Sequence, residues 1–392
     1  TAVPALGTVR RASIYVERTN SADTGIAVAA PLGPSTLSLQ LRNADGTVAT
    51  SASLDLAAGE QSGRFLNELF PAYSFPPAFR GSITMLASAP VVAVTLRTAI
   101  NETGEFLMTT VPVADLAEPT PSTFYLTHFA DGGGYTTDAI LMNTQSVPIT
   151  GSLEWRSTTG ALLGTAARYT IPAYGTQVLS SGTGGGELLS GYVVGRADAG
   201  QSSPALRSII QLRQNGRLIG MTGIYPSAPA RRSQTFVDFT RGHDSGVAVL
   251  NDGSNPAVIR LTVYNNQGTA LPASSTITLA PRTQTATFVS QLFPSLPRGF
   301  RGTLEISADS PIHAIALRST STADRFLLAA LPVESLEVLR NDAVLYFPQI
   351  VDGAGFSSEI FVMNLGSTIA NPRLSLLSPL GQPTKMTFLL SR

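Results

Sequence analysis

Two similar stretches of fifteen residues occur in this chain, and this repetition constrains the fold more than any other feature. "FADGGGYTTDAILMN" begins at Phe129 and "IVDGAGFSSEIFVMN" begins at Ile350, so both copies keep Asp-Gly-x-Gly, an aromatic, two hydroxyl residues, an acid and a final Asn. Because the two copies lie 221 residues apart, the chain contains a long internal repeat.

Other segments follow the same long period. "RFLNELFPAYSFPPAFRG" from Arg64 matches "TFVSQLFPSLPRGFRG" from Thr287. A shorter period also appears, because "LSLQLRNADG", "SLEWRSTTG", "IRLTVYNNQG" and "PRLSLLSPLG" each alternate apolar and polar residues up to a glycine turn. The sequence therefore predicts four segments in the order A-B-A-B, with boundaries at 1–118, 119–229, 230–339 and 340–392.

Each segment holds about seven short apolar runs separated by Gly, Pro, Asn, Asp or Ser, and helical spacing is not sustained anywhere. "FLNELF" predicts a single helical turn at most. In this pattern the chain resembles tandem immunoglobulin-like or fibronectin-type β-sandwich repeats of bacterial secreted and cell-surface proteins. The resemblance implies an all-β fold of tandem immunoglobulin-like sandwiches in an extended row, and Pro-bearing joints such as "AEPTPS" favour semi-rigid links.

Composition limits the classes of partner. Charged residues make up 13% of the 392 residues, with 26 basic and 26 acidic side chains, so neither nucleic acid nor an anionic membrane is expected as a partner. No apolar run is long enough to predict a membrane span. The absence of cysteine fits an exported bacterial protein, and we expect an extracellular or cell-surface location.

The fourth segment holds about half of the pattern that the second segment shows. Half a sandwich exposes an apolar face and unpaired strand edges. Either a longer parent chain continues the segment, or another chain supplies the missing strands, as in donor-strand assemblies.

The histidines give little indication of catalysis. His128, His243 and His313 each lack a histidine at the equivalent position of the other copy. His243 precedes an acid but is interpreted as an exposed loop residue. With no assembled nucleophile, base and orienting group, an enzyme is not expected.

Four carboxylates in the repeated stretch form a candidate calcium site. Asp131 and Asp138 in the first copy correspond to Asp352 and Glu359 in the second. Calcium binds clustered carboxylates on loops, but a tight turn that needs positive φ explains the glycines equally directly. The turn is the preferred interpretation; no cofactor is expected apart from this possible calcium.

Aromatic and arginine side chains are further candidates for surface contacts. Tyr73, Phe75 and Phe79 form the best candidate group for binding a glycan or for packing against the next segment, whereas Trp155 aligns with core aliphatic residues and is predicted to be buried. The arginines that follow similar apolar triplets are predicted to be solvated or inter-strand residues, with an inter-domain contact as the alternative: Arg97, Arg213 and Arg318.

These observations favour a non-enzymatic structural repeat protein, such as a stalk, surface-layer component or fibre subunit, which assembles with copies of itself or with other surface proteins. The alternative is an adhesin or a carbohydrate-binding accessory module of a secreted protein.

Overall fold

The computed structural model describes residues 1–384 except positions 225, 241, 323–325, 338–343 and 367. The described chain is all-β, with antiparallel sheets that follow one another along the sequence and two single-turn helices. The predicted fold class is confirmed at this level.

The first segment folds into two facing sheets that share one long strand. Its elements are β1 (Val9–Arg18), β2 (Ala22–Ala29), β3 (Ser35–Asn43), β4 (Val48–Leu56), β5 (Gln61–Phe65), α1 (Leu66–Leu69), β6 (Phe79–Ile100), β7 (Phe106–Val111) and β8 (Ala114–Asp115). The first half of β6 pairs with β1 and β3, and its second half pairs with β2 and β7. Alternate residues such as Leu39, Ile83 and Val28 point between the sheets and form a buried apolar core.

The second segment is built from two separate four-stranded sheets. Its strands are β9 (Thr123–Asp131), β10 (Tyr135–Met142), β11 (Ile149–Ser157), β12 (Ala167–Ile171), β13 (Thr176–Ser180), β14 (Leu189–Ala197), β15 (Ala205–Gln214) and β16 (Arg217–Ile224). One sheet has the order β13-β10-β15-β16 and the other β12-β11-β14-β9. Trp155 lies in the core of this segment, where its ring centroid is 5.0 Å from that of Phe129 in an edge-to-face contact. The prediction that Trp155 is a core residue therefore agrees with its position.

The third segment has the strand order of the first. Its elements are β17 (Ala230–Asp238), β18 (His243–Asn251), β19 (Ala257–Asn265), β20 (Ala270–Leu279), β21 (Thr283–Phe288), α2 (Val289–Leu292), β22 (Arg301–Ser321), β23 (Phe326–Leu331) and β24 (Glu334–Ser335). Both segments run in the order of their fourth, third, long, first and last strands, and in both the single helical turn follows the fifth strand.

Neighbouring segments bury apolar side chains against each other. Between the first and second segments, Tyr15 and Ala99 share a cluster with Ile140 and Met221. Between the second and third, the core of the second segment continues into Ala248, Ile315 and Ala330. The segments therefore contact each other through packed faces in addition to their covalent joints.

The fourth segment makes isolated bridges, rather than named strands, within its described residues 344–366 and 368–384. Glu359 pairs with Arg301 of the third segment, while the Gln349 side chain contacts Gln61 of the first. Because the fourth segment contacts both the third and the first, the expected extended row is wrong: the described chain turns back on its own beginning.

Candidate functional site

The repeated stretch forms the same hairpin turn in both copies. Gly132 and Tyr135 exchange two backbone hydrogen bonds of 3.0 Å, and Gly353 and Phe356 exchange bonds of 3.0 and 2.9 Å. The two central residues have positive φ in each turn, 60° and 91° at Gly133-Gly134 and 50° and 87° at Ala354-Gly355, as a type I′ turn requires. Backbone geometry thus explains why glycine recurs here.

The hydroxyl and amide residues of the stretch also have the same contacts in both copies. Thr137 Oγ1 donates to Ala130 O at 2.8 Å, and Ser358 Oγ donates to Val351 O at 2.7 Å, in each case across seven residues. The side-chain amide of Asn143 donates to Val147 O at 2.8 Å. Asn364 makes the same bond to Thr368 O at 2.7 Å. The contacts described for this repeated stretch therefore hold the turn and its flanking backbone in place.

The four candidate calcium ligands lie in separate contacts. Asp138 accepts hydrogen bonds from Ser180 and from Gln211 Nε2, the latter at 3.3 Å, and Asp131 accepts one from Ser181 at 3.1 Å. Glu359 lies 2.6 Å from Arg301 Nη1, and Asp352 is exposed. The part of the chain that the structure describes holds no group of three or more His, Asp or Glu side chains placed to bind a metal, so the calcium hypothesis gains no structural support.

The aromatic trio packs together and onto the core of its own segment. The ring centroids of Tyr73 and Phe75 lie 4.8 Å apart, and those of Phe75 and Phe79 lie 5.4 Å apart, both in edge-to-face geometry. Phe79 is buried, and the Arg18 guanidinium lies over the ring of Phe75. These contacts lie within the first segment, whereas the sequence predicts a glycan platform or packing against the next segment.

Buried ion pairs recur at one end of the first and third segments. Arg97 Nε lies 2.5 Å from Glu17 Oε1, and both side chains are almost fully buried. Arg318 Nη2 lies 3.0 Å from Asp238 Oδ2, and the Asp238 carboxylate has no solvent exposure. Of the two predicted alternatives, the solvated one is therefore wrong for Arg97, whereas the inter-strand one describes both arginines, because their carboxylate partners lie on β1 and β17.

Arg213 does not hold the position of these two arginines. Thr24 and Thr137 hold equivalent positions, because each hydroxyl donates to a carbonyl seven residues earlier. Arg97 lies opposite Thr24 in its sheet, whereas Ile210 lies opposite Thr137. Arg213 is exposed and pairs at 2.6 Å with Glu102 of the first segment, which is the inter-domain alternative. The Arg213 hydrogen bond, aided by the Leu218 N–H, lowers the pKa of Glu102 to about 2.

Two of the three histidines lie at the joint between the second and third segments. His313 is buried, and its Nδ1 donates to Ser227 O at 2.7 Å. Its Nε2 lies 3.6 Å from Asp252 Oδ2, and the contact with the His313 ring holds the pKa of Asp252 below the usual value. His128 Nδ1 lies 3.2 Å from Gln284 Nε2, and burial lowers the pKa of His128 to about 4.

The third histidine is also part of the packed structure. His243 begins β18, is partly buried, and its Nδ1 lies 2.8 Å from Thr320 Oγ1, so the expectation of an exposed loop is wrong. Burial, together with the Arg318 charge, lowers the pKa of His243.

The joints are the sites that sequence reasoning missed. At the first joint Asn101 Nδ2 donates to Leu218 O at 2.9 Å, and Arg207 donates to the carbonyls of Pro112 and Val113. At the second joint Tyr192 OH donates to Arg282 O at 2.6 Å. One signal in the sequence could have indicated these joints: each histidine is absent from the equivalent position of the other copy. A residue that contacts a neighbouring segment at one joint need not be present in the other copy.

Comparisons with known proteins give no family. The chain matches no protein-family model, no curated protein and no solved structure. In the described residues, neither helix has the length or the apolar character needed to cross a bilayer.

Proposed function

We propose that this chain is a non-enzymatic structural repeat protein of immunoglobulin-like A-B-A-B segments that works outside the cell as a subunit of a surface layer or fibre. Its task is mechanical: a body of packed segments presents an exposed apolar face of the fourth segment to a neighbouring molecule. An exported location is compatible with the absence of cysteine and with the low charge.

The observation that carries this proposal is the exposed face of the fourth segment. Val362 is 67% exposed and Leu374 is 48% exposed. The residues 221 positions earlier, Leu141 and Leu153, are fully buried between the two sheets of the second segment. Side chains that belong in a core thus face solvent, which is unfavourable by about 1.5–3 kcal/mol for each large apolar side chain.

The second segment indicates what kind of structure would cover this face. There, Leu141 lies on β10, which pairs with β13 and β15, and Leu153 lies on β11, which pairs with β12 and β14. A partner that covers the exposed face of the fourth segment must therefore supply strands with alternating apolar residues. We propose that a second copy of this protein or another surface protein supplies them by strand complementation.

The contacts between the fourth and first segments favour a compact building block over a long stalk. No observation in the described residues favours adhesion to glycans, since Tyr73, Phe75 and Phe79 pack against each other.

The proposal is tested by light scattering after size exclusion and by negative-stain electron microscopy of the full chain. We expect concentration-dependent assemblies that Leu374→Asp abolishes, because a carboxylate on the open face opposes burial. Leu32→Asp is the matched control, because Leu32 is 63% exposed on the first segment, and assembly should survive it. A full chain that stays monomeric at every concentration contradicts the proposal.

A further inference from the structure

The joint between the second and third segments recurs between the fourth and the first. In the former, Gln284 N–H donates to Thr158 O at 2.9 Å and the Gln284 side chain contacts His128. In the latter, Gln61 N–H donates to Pro379 O at 2.9 Å and Gln61 Nε2 lies 2.5 Å from Gln349 Oε1.

The residues of the two joints hold equivalent positions. Gln61 and Gln284 each lie four residues before the phenylalanine that pairs with a glycine of the second strand, Gly25 with Phe65 and Gly246 with Phe288. Their partners, Thr158 with Pro379 and His128 with Gln349, are each separated by 221 residues. The same surface of an A segment therefore meets the same surface of a B segment twice.

The close approach of the backbones also recurs. A Cβ at Gly160 would lie 2.4 Å from Arg282 O, and one at Gly381 would lie 2.8 Å from the carbonyl carbon of Gly59. Both glycines have positive φ, 84° and 75°. Glycine is thus required at both joints by the neighbouring main chain.

Residues near the beginning of the chain contact the third and first segments as the end of β16 contacts the first and third. In the second segment, Gly223 N–H donates to Thr109 Oγ1 of the first segment, and Thr222 Oγ1 accepts from Ala330 N–H of the third. Ala2, 221 residues before Gly223, packs on the core cluster of the third segment, and its carbonyl accepts from Thr110 Oγ1 of the first at 3.0 Å. Residues 1–3 thus bridge the third and first segments as the end of β16 does.

A further contact ties this early segment to the fourth. Leu6 N–H donates to Tyr346 O at 2.9 Å, and Tyr346 N–H donates back to Leu6 O at 3.4 Å, as an antiparallel bridge. We propose that the chain closes into a four-segment ring, in which the fourth segment docks on the first through the same joint that links the second and third, and residues 1–6 of the same chain bridge the third, fourth and first segments as the end of β16 bridges the first and third. This closure does not depend on the proposed function, because it uses the loops of the fourth segment and leaves the face of Val362 and Leu374 open.

The direct test is a disulfide between the two bridged residues in the full chain. The sequence has no cysteine, so Leu6→Cys with Tyr346→Cys introduces the only two thiols. Residues that exchange both backbone bonds have Cα atoms about 5.5 Å apart, within the about 4.4–6.8 Å that a disulfide spans. We expect a monomeric species that migrates faster on a non-reducing gel, disappears on reduction, and forms in the same proportion at all protein concentrations.

A second pair keeps the test decisive if that variant folds poorly. Gln61→Cys with Gln349→Cys, joined by a short bis-maleimide, probes the joint itself, and His128→Cys with Gln284→Cys is the matched pair at the second joint. Intramolecular cross-linking with a yield similar to the matched pair supports closure. Cross-links that form only between molecules, in proportion to concentration, would show that a second copy docks on the first segment in place of the fourth segment of the same chain. Thiols at positions 61 and 349 that do not cross-link, while the matched pair does, would show that the ring is open. Either result overturns the proposal.

Discussion

The substitution His128→Gln should remove a specific part of the acid sensitivity of this protein. Burial lowers the pKa of His128 to about 4 from 6.5. In the unfolded chain the histidine binds a proton below about pH 6.5, whereas in the folded chain it stays neutral until about pH 4. Between these values the unfolded state binds more protons, so the free energy of unfolding falls as the pH falls, and the loss is complete once the pH has passed the folded pKa.

The size of the effect follows from the shift. A difference of about 2.5 pKa units corresponds to about 3 kcal/mol at 1.36 kcal/mol per unit. This is an upper limit, because part of the His128 side chain is exposed and solvent stabilises its charged form. Glutamine is the natural replacement, since Gln349 occupies the equivalent position and contacts Gln61 as His128 contacts Gln284.

The assay is urea unfolding followed by tryptophan fluorescence at a series of pH values. Trp155 is the only tryptophan and lies in the core of the segment that carries His128, so its emission reports on that segment. We expect the variant and the wild type to differ little above pH 6.5, and the variant to become the more stable by up to about 3 kcal/mol near pH 4. A stability difference that stays constant across this range would refute the reasoning, because it would show that His128 titrates alike in both states.

Three further predictions concern the ion pairs and the repeated turn. Glu17→Ala should lower the free energy of unfolding by about 3–5 kcal/mol, because it leaves Arg97 buried without its carboxylate partner. Glu102→Ala, which removes an exposed ion pair, should lower it by at most about 1 kcal/mol. Denaturant unfolding of both variants measures this difference, and equal losses of stability would contradict the prediction. Since the folded pKa of Glu102 is about 2 and its ordinary value is 4.5, the small contribution of its pair with Arg213 should be present above about pH 4.5 and lost as the pH falls through 2, which a comparison of acid unfolding curves with Glu102→Gln checks. Gly134→Ala should lower the melting temperature, because the new Cβ would lie 2.1 Å from Arg213 O at a φ of 91°; an unchanged melting temperature would show that the turn relaxes without cost.

The strands were predictable because their pattern is local. "LSLQLRNADG" alternates with period two, and it forms β3 with Leu37, Leu39 and Leu41 facing the core. The single helical turn "FLNELF" and the burial of Trp155 also follow from local pattern and from alignment of the copies. The sequence shows two apolar runs, "GSITML" from Gly81 and "VVAVTLR" from Val91, where the structure has the single strand β6. The transfer of this strand from one sheet to the other depends on pairing partners far along the chain, so the local pattern does not show it.

The buried arginines show where pattern reading fails. A charged residue at the end of an apolar run is usually solvated, so the pattern at Arg97 predicts either a solvated or an inter-strand side chain and does not identify a partner. Its partner Glu17 lies 80 residues earlier on another strand. Only the folded chain brings the two together, and the same holds for Arg318 with Asp238. The joints escaped prediction for the same reason, since each of their contacts links residues of different segments.

The two equivalent joints indicate which interactions define the assembly. The main-chain bond of Gln284 to Thr158 is kept as that of Gln61 to Pro379, although the acceptor residue differs, because any residue supplies a carbonyl. The side-chain partner changes from His128 to Gln349, and with it the response to pH. Main-chain contacts and the close approach of the backbones at glycine therefore set the geometry of the joint, while the side chain beside them differs between the two copies.

It follows that a titratable residue can be present at one joint and not at the other, so acid should weaken the joint of the second and third segments before that of the fourth and first. Cross-linking of the two matched cysteine pairs cannot show this, because it replaces His128, but hydrogen exchange of the Gln61 and Gln284 amides as the pH falls below 6.5 can, once the intrinsic pH dependence of exchange is divided out.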